Sequence, residues 1–305
     1  MKKAFRSGFV TVTGRPNVGK STLINALTGE HIAITSPKPQ TTRKNQQAIL
    51  TTDDYQIVFI DTPGLHVPKT RLGEYMMKSA ESAIDSSDII MFLYDSTESS
   101  VSEATKNYCR RLASIGGLVK ILVLTKIDLI EKDKLLPIIY QLSSLCAFDS
   151  VIPVSSVKRD GTEIIINEIL KYLPEGPRFY PDDISTTSTV REMCAEIIRE
   201  KVLYYTNDEV PHGVGVEIIE FREPTGRGAS TSINATILCE KESHKGILIG
   251  KEGAMLKKIG SAARRDIENV VGGQVNLKLW VKVKDDWRNS KTVLKELGYK
   301  EEKND

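Results

Sequence analysis

The sequence predicts an α/β domain, a mostly parallel sheet with helices on both faces, followed by a smaller α+β domain. Three observations carry this. Short β-branched runs alternate with longer helical stretches over residues 1–173, a Gly-rich loop joins the first strand to the first helix, and the order of elements changes after a Pro/Gly-rich break.

The apolar runs are Phe9–Thr13, Ile57–Ile60, Ile89–Tyr94, Ile121–Leu124 and Val151–Val154. Helical stretches lie between them: Ser21–Thr28, Glu74–Ser86, Glu103–Ile115 and Glu163–Tyr172. Continuous apolar runs alternating with helices indicate parallel strands buried on both faces. Pro174, Gly176, Pro177 and Pro181 then read as a linker. The expected division is 1–173, a linker at 174–186, and a second domain at 187–305. That domain opens with an amphipathic helix over Val190–Tyr205 and strands Val214–Phe221 and Ser232–Cys239. A short helix, a Gly-x-x-Gly turn and a helix from Ala254 to about Val271 follow. In the last strand Val275, Leu277, Leu279, Val281 and Val283 face one way, and Asn276, Lys278, Trp280, Lys282 and Lys284 the other.

Apolar content of 40% and charged content of 27% are ordinary for a globular chain. Net charge is only +2, so any polyanion-binding surface must be local. The four cysteines form no C-x-x-C pair, which argues against a zinc site or a disulfide framework. No apolar run approaches membrane-spanning length and no signal-peptide core follows Met1, so the expectation is a cytoplasmic protein.

Gly14-Arg15-Pro16-Asn17-Val18-Gly19-Lys20-Ser21, with Thr22 next, matches the phosphate-binding P-loop in its strand–loop–helix context. Its glycines let backbone N–H groups converge on phosphate, and the helix start adds its dipole. Lys20 suits the β- and γ-phosphates and the Ser21 hydroxyl suits magnesium. Asp61-Thr62-Pro63-Gly64 ends a strand, where Asp61 can hold the magnesium shell and the Gly64 backbone can sense the γ-phosphate. Thr125-Lys126-Ile127-Asp128 ends another. Ionised Asp128 only accepts hydrogen bonds, which fits the two donors of guanine and not the N1 acceptor of adenine. Lys126 can lie along the base, and Ser155, Ser156 and Val157 can contact the guanine oxygen. In the polar stretch Thr35–Lys44, a threonine can join magnesium when the γ-phosphate is present; Thr42 is favoured over Thr41. Lys20, Thr42 and Gly64 are the candidate catalytic residues. Leu65 stands where many GTPases place a water-orienting glutamine, so hydrolysis should be slow. Asn17 is the candidate ligand for a potassium ion beside the phosphates.

In the second domain Gly250-Lys251-Glu252-Gly253 lies between two helices, as in the backbone clamp of a KH domain. Lys245, Lys251, Lys257, Lys258, Arg264 and Arg265 surround it with a single acidic residue, Glu252. The candidate RNA-binding residues are Lys245, Ile249, Gly250, Lys251, Glu252, Gly253, Lys257 and Lys258. Trp280 can stack on a base or pack on a neighbouring element; packing is the favoured reading.

Together these motifs resemble the Era family of bacterial GTPases over essentially the full length. The carrying residues are Gly14–Ser21, Gln40-Thr41-Thr42-Arg43, Asp61-Thr62-Pro63-Gly64-Leu65-His66, Gly250–Gly253 and Leu279-Trp280-Val281-Lys282-Val283-Lys284. The resemblance implies an α/β P-loop GTPase domain and a type II KH domain. It implies GTP/GDP, Mg2+ and K+ as cofactors, and the single-stranded 3′ end of small-subunit ribosomal RNA as partner. The role it implies is GTP-controlled assembly of the small ribosomal subunit, with a fraction bound peripherally to the inner face of the cell membrane; a monomer is the default expectation for the oligomeric state. One departure is Thr125, where the family's base-reading motif begins with Asn. The rival readings are a GTPase acting on large-subunit RNA or tRNA, and a nearly inactive GTP-binding RNA chaperone.

Overall fold

The computed structural model describes residues 4–36, 38, 40–65, 67–207, 210–224, 226 and 230–299; His66 of the family motif lies outside them. They form two compact units. The first comprises Met1–Thr35, Thr42–Val67 and Met76–Thr187; the second comprises Ser36–Thr41, Pro68–Tyr75 and Ser188–Asp305.

The first unit is built on a six-stranded sheet of order β2-β3-β1-β4-β5-β6. Its strands are β1 (Arg6–Gly14), β2 (Gln46–Thr51), β3 (Tyr55–Asp61), β4 (Ile89–Asp95), β5 (Val119–Thr125) and β6 (Ser150–Pro153). All neighbouring pairs are parallel except β2 with β3. The connecting helices are α1 (Lys20–Thr28), α2 (Arg71–Asp85), α3 (Glu103–Ser114), α4 (Leu135–Ser143) and α5 (Thr162–Tyr172). β4 shows why the apolar runs are continuous, because every residue in it is buried. Ile89, Met91 and Leu93 join a core with Leu23, Ile24, Ile165 and Ile169, while Ile90, Phe92 and Tyr94 join one with Cys109, Leu112 and Leu142. The Pro/Gly-rich stretch is laid against this sheet by hydrogen bonds from Ser7 N to Pro174 O (3.2 Å) and from Gly176 N to Phe5 O (3.1 Å).

The second unit holds α6 (Val190–Tyr205), β7 (Gly215–Arg222), β8 (Thr231–Cys239), α7 (Glu242–Ile249), α8 (Ala254–Val271), β9 (Val275–Val283) and α9 (Lys291–Glu296). The α6 start is fixed by a reciprocal capping box between Thr189 and Glu192. β7 pairs antiparallel with β8, and β8 parallel with β9, which leaves β9 at a sheet edge. The inward face of β8 (Ile233, Ala235, Ile237) packs on Ile198, Val202, Ile259, Ala263 and Ile267. Trp287 is fully buried and donates to Gly213 O at 2.8 Å. Three elements were not foreseen from sequence: β2, α4 and α9.

Candidate nucleotide and RNA sites

In the first unit, the P-loop after β1, Asp61 closing β3, Asp95 closing β4, Thr125 closing β5 and Ser155 after β6 all follow the carboxyl ends of parallel strands, where open α/β sheets bind ligands. Gly14 (φ +151°), Asn17 (φ +65°) and Gly19 (φ +96°) turn the loop. A Cβ on Gly14 would fall 2.5 Å from the Leu93 carbonyl oxygen. The α1 N-terminus has Gly19 as N-cap and no side-chain cap, so its first amides are open to an anion.

Lys20 is buried, with Nζ donating to the carbonyls of Gly14 (3.2 Å) and Arg15 (3.0 Å). Burial lowers its pKa to about 8, against the opposing pull of Asp61. The Ser21 and Thr42 hydroxyls both donate to Asp61 Oδ2, at 2.7 and 2.9 Å, and lie 3.1 Å apart. Among the described residues, Asp61 Oδ1 is buried without a hydrogen-bond partner. Burial raises the Asp61 pKa, while Lys20, Ser21 and Thr42 pull it down. Two hydroxyls and a carboxylate with an orphaned oxygen form an all-oxygen donor set, which is what magnesium takes. Ser21, Thr42 and Asp61 would hold the ion, which supplies charge neutralisation to the β- and γ-phosphates. Thr41 instead donates to Lys38 O at 2.6 Å, so of the two threonines Thr42 stands at this donor set.

Gly64 closes over the P-loop: an added Cβ would lie 2.8 Å from Pro16 N, and Leu65 N donates to Gly14 O at 3.1 Å. Thr62 is tied to Val12 O through its hydroxyl at 2.8 Å. At the other end of the crevice, Asp128 accepts a hydrogen bond from Ser155 that holds its carboxyl below the usual range. Lys126 (φ +59°) pairs with Asp95 at 2.5 Å. Arg15 pairs with Glu98 at 2.9 Å. Ser156 is half-buried and Val157 is 82% exposed.

In the second unit, Gly250 has φ +72° and a Cβ there would lie 2.7 Å from Met255 Cβ, so the backbone packing itself demands glycine. Glu252 (φ +52°) and Gly253 (φ +79°) complete a turn whose last residue is the uncapped N-cap of α8. Beside it runs a groove of about 390 Å³, lined by Gly253, Leu256, Lys257, Gly260, Ser261 and Arg264 on one side and Leu277 and Leu279 of β9 on the other. Lys251 and Glu252 are exposed at the turn and Ile249 is half-buried behind it. Lys245 faces Glu242 at 3.7 Å, and Lys258 lies 4.3 Å over the Tyr205 ring, so these two are engaged within their own unit.

Comparison with known proteins decides what the two sites belong to. A family described as "50S ribosome-binding GTPase" matches residues 9–126, and one described as "KH domain" matches residues 209–288. The GTPase Era of Ruminiclostridium cellulolyticum is 52% identical over 99% of this chain and 100% of its own, and that of Clostridium perfringens 47% identical over 97% and 99%. The chain belongs to the Era GTPase family. A crystal structure of Era in complex with MgGDPNP and nucleotides 1506–1542 of 16S ribosomal RNA superposes with a TM-score of 0.92, at 36% identity, over 97% of this chain and 99% of that one.

Within the Era frame, the departure at Thr125 has a structural answer. Its hydroxyl serves the Val18 carbonyl at 2.7 Å and the Tyr94 carbonyl at 3.1 Å, so the brace from the base-reading segment to the P-loop is kept. Trp280 corrects the packing expectation: it is 49% exposed, on the outward face of β9 between exposed Lys278 and Lys282. The groove's β9 side was missed from sequence, since Leu277 and Leu279 alternate as core residues. Gly260 in mid-helix was the available signal; a helix glycine costs about 1 kcal/mol against alanine and is kept where something approaches closely.

Proposed function

We propose that this chain is a GTP hydrolase that holds the 3′ end of small-subunit ribosomal RNA in its KH groove and acts in the cytoplasm as a GTP-controlled assembly factor for the small ribosomal subunit. The observation that carries this is the full-length likeness to Era solved with both MgGDPNP and the 16S 3′ segment. The description "50S ribosome-binding GTPase" covers only residues 9–126, inside the first unit, and says nothing of the KH groove.

Thr41 and Thr42 support the GTP control. Buried Arg199 of α6 donates to the carbonyls of Gln40 and Thr41, while the next residue, Thr42, is bonded to Asp61 in the first unit. Ordering Thr42 around a γ-phosphate therefore acts on a peptide whose neighbour is already anchored in the second unit. No helix among the described residues is long and apolar enough to cross a membrane.

The decisive experiment crosslinks and sequences RNA bound in cells, beside the double variant Lys251→Asp, Glu252→Asp. Reads should concentrate at the 3′ end of 16S RNA and disappear in the variant. Reads on large-subunit RNA or tRNA would replace the target and keep the GTPase.

Hydrolysis is the second point. Leu65 has no group that can orient water, and its amide is committed to Gly14 O. We assign the missing positive charge to potassium held by Asn17, in the turned part of the P-loop. Turnover in potassium should exceed that in sodium by on the order of tenfold, the scale of a modest electrostatic contribution. Asn17→Gly, which removes the amide oxygen and suits the positive φ, should narrow that ratio; equal wild-type rates in the two salts would remove potassium from the site.

A further inference from the structure

The outward face of β9 is not used by the nucleotide site or by the groove. Lys278, Trp280 and Lys282 stand side by side on it, all exposed, whereas the protein's other tryptophan, Trp287, is fully buried. Across the sheet Trp280 is in register with Thr236 and Lys278 with Asn234, side chains too short to cover an indole. Among the described residues neither lysine has a carboxylate partner. The acidic side chains of this sheet, Glu217 and Glu220, lie on β7, with Asn234 and Arg222 engaging Glu220. The positive strip therefore follows the β9 edge alone. Lysines on an edge strand are commonly a guard against strand pairing, but that reading leaves an exposed tryptophan between them unexplained. A flat aromatic flanked by cations is how proteins hold unpaired bases and their phosphates.

The strip is also continuous with the groove, because β9 serves both. Leu277 and Leu279 of β9 line the groove, and the alternating residues Lys278, Trp280 and Lys282 stand on the opposite face of the same edge. A Gly-x-x-Gly turn clamps about four nucleotides, whereas the RNA carried by the solved Era complex spans nucleotides 1506–1542. Such an RNA has more than enough length to continue past the groove.

We propose that RNA leaving the KH groove turns around the β9 edge, stacks a base on Trp280 and places flanking phosphates at Lys278 and Lys282. This rests on the RNA-binding reading above, and the test separates the two. Two RNAs are titrated into the full chain: a short single strand from the 16S 3′ tail that fills only the groove, and the segment equivalent to 1506–1542. Trp280→Ala should weaken the long RNA on the order of tenfold, the size of one base–aromatic stack, and leave the short one unchanged. Trp280→Phe should recover most of the loss. The long RNA alone should quench Trp280 emission, while buried Trp287 reports that the variants are folded. Lys278→Gln with Lys282→Gln should flatten the salt dependence for the long RNA, by about 0.7 in log–log slope for each phosphate no longer neutralised. If Trp280→Ala changes neither RNA and the long RNA quenches nothing, the wrap is wrong and the face belongs to a protein partner. Failure of the wild-type chain to bind either RNA would instead overturn the RNA-binding reading.

Discussion

Asp128→Asn is expected to lower GTP affinity by about three orders of magnitude and to raise affinity for xanthosine triphosphate. Guanine offers N1–H and the exocyclic NH₂ toward this position, and a carboxylate meets both with acceptors. The hydrogen bond from Ser155 holds the Asp128 carboxyl below its ordinary pKa, which favours the ionised, acceptor-only form. An amide turns one acceptor into a donor facing another donor. A hydrogen bond to a charged group contributes about 1.5–3 kcal/mol; losing one, setting a donor against a donor in its place and reducing the other to a neutral bond together reach the stated factor. Xanthine carries an oxygen in place of the exocyclic amine, and the amide NH₂ can donate to it. Competition of both triphosphates against a fluorescent GDP analogue measures this. A variant that binds GTP within tenfold of wild type would show that Asp128 does not read the base.

That Asp128 could be singled out from sequence has a physical reason. Parallel strands buried on both faces are continuously apolar, and the polar residue that ends each one stands out against them. Asp61, Thr125 and Ser155 were legible in the same way. β2 was not, because Gln46, Gln47 and Thr51 of this antiparallel edge strand are only half-buried and its apolar centre is short. α4 was obscured by Pro137, which its first turn tolerates. In the second unit the Gly-x-x-Gly turn was visible as residues, but its geometry was not: nothing local says that Met255 packs against Gly250. The bracing role of Thr125 depended on where the Val18 carbonyl lies, and the exposure of Trp280 on what fails to cover a sheet face. Both are tertiary facts that spacing along a chain does not encode.

Asp61→Asn is expected to lower GTP turnover at least a thousandfold while leaving GDP binding in EDTA within about tenfold of wild type. A thousandfold loss corresponds to about 4 kcal/mol of transition-state stabilisation, within what a magnesium ion supplies to phosphoryl transfer. Asp61 is the sole carboxylate of the donor set, and its Oδ1 has no other partner among the described residues. The amide keeps the shape and could still accept from Ser21 or Thr42, but it removes the charge that holds the ion. Binding without magnesium depends instead on the P-loop amides and Lys20. That dependence carries a pH signature. Lys20 titrates at about 8 in the free protein because burial disfavours its charge. Phosphate beside it favours the charge and raises the pKa, so binding takes up a proton. Affinity in EDTA should therefore be full below pH 8 and fall above it, by at most tenfold per unit, until the raised value is passed. Asp61 is the group that pulls Lys20 upward. In Asp61→Asn the fall should accordingly begin at lower pH. A turnover loss with an unshifted pH profile would mean that Asp61 serves the metal alone and that the Lys20–Asp61 attraction is weak. Turnover within tenfold of wild type would remove Asp61 from the magnesium shell.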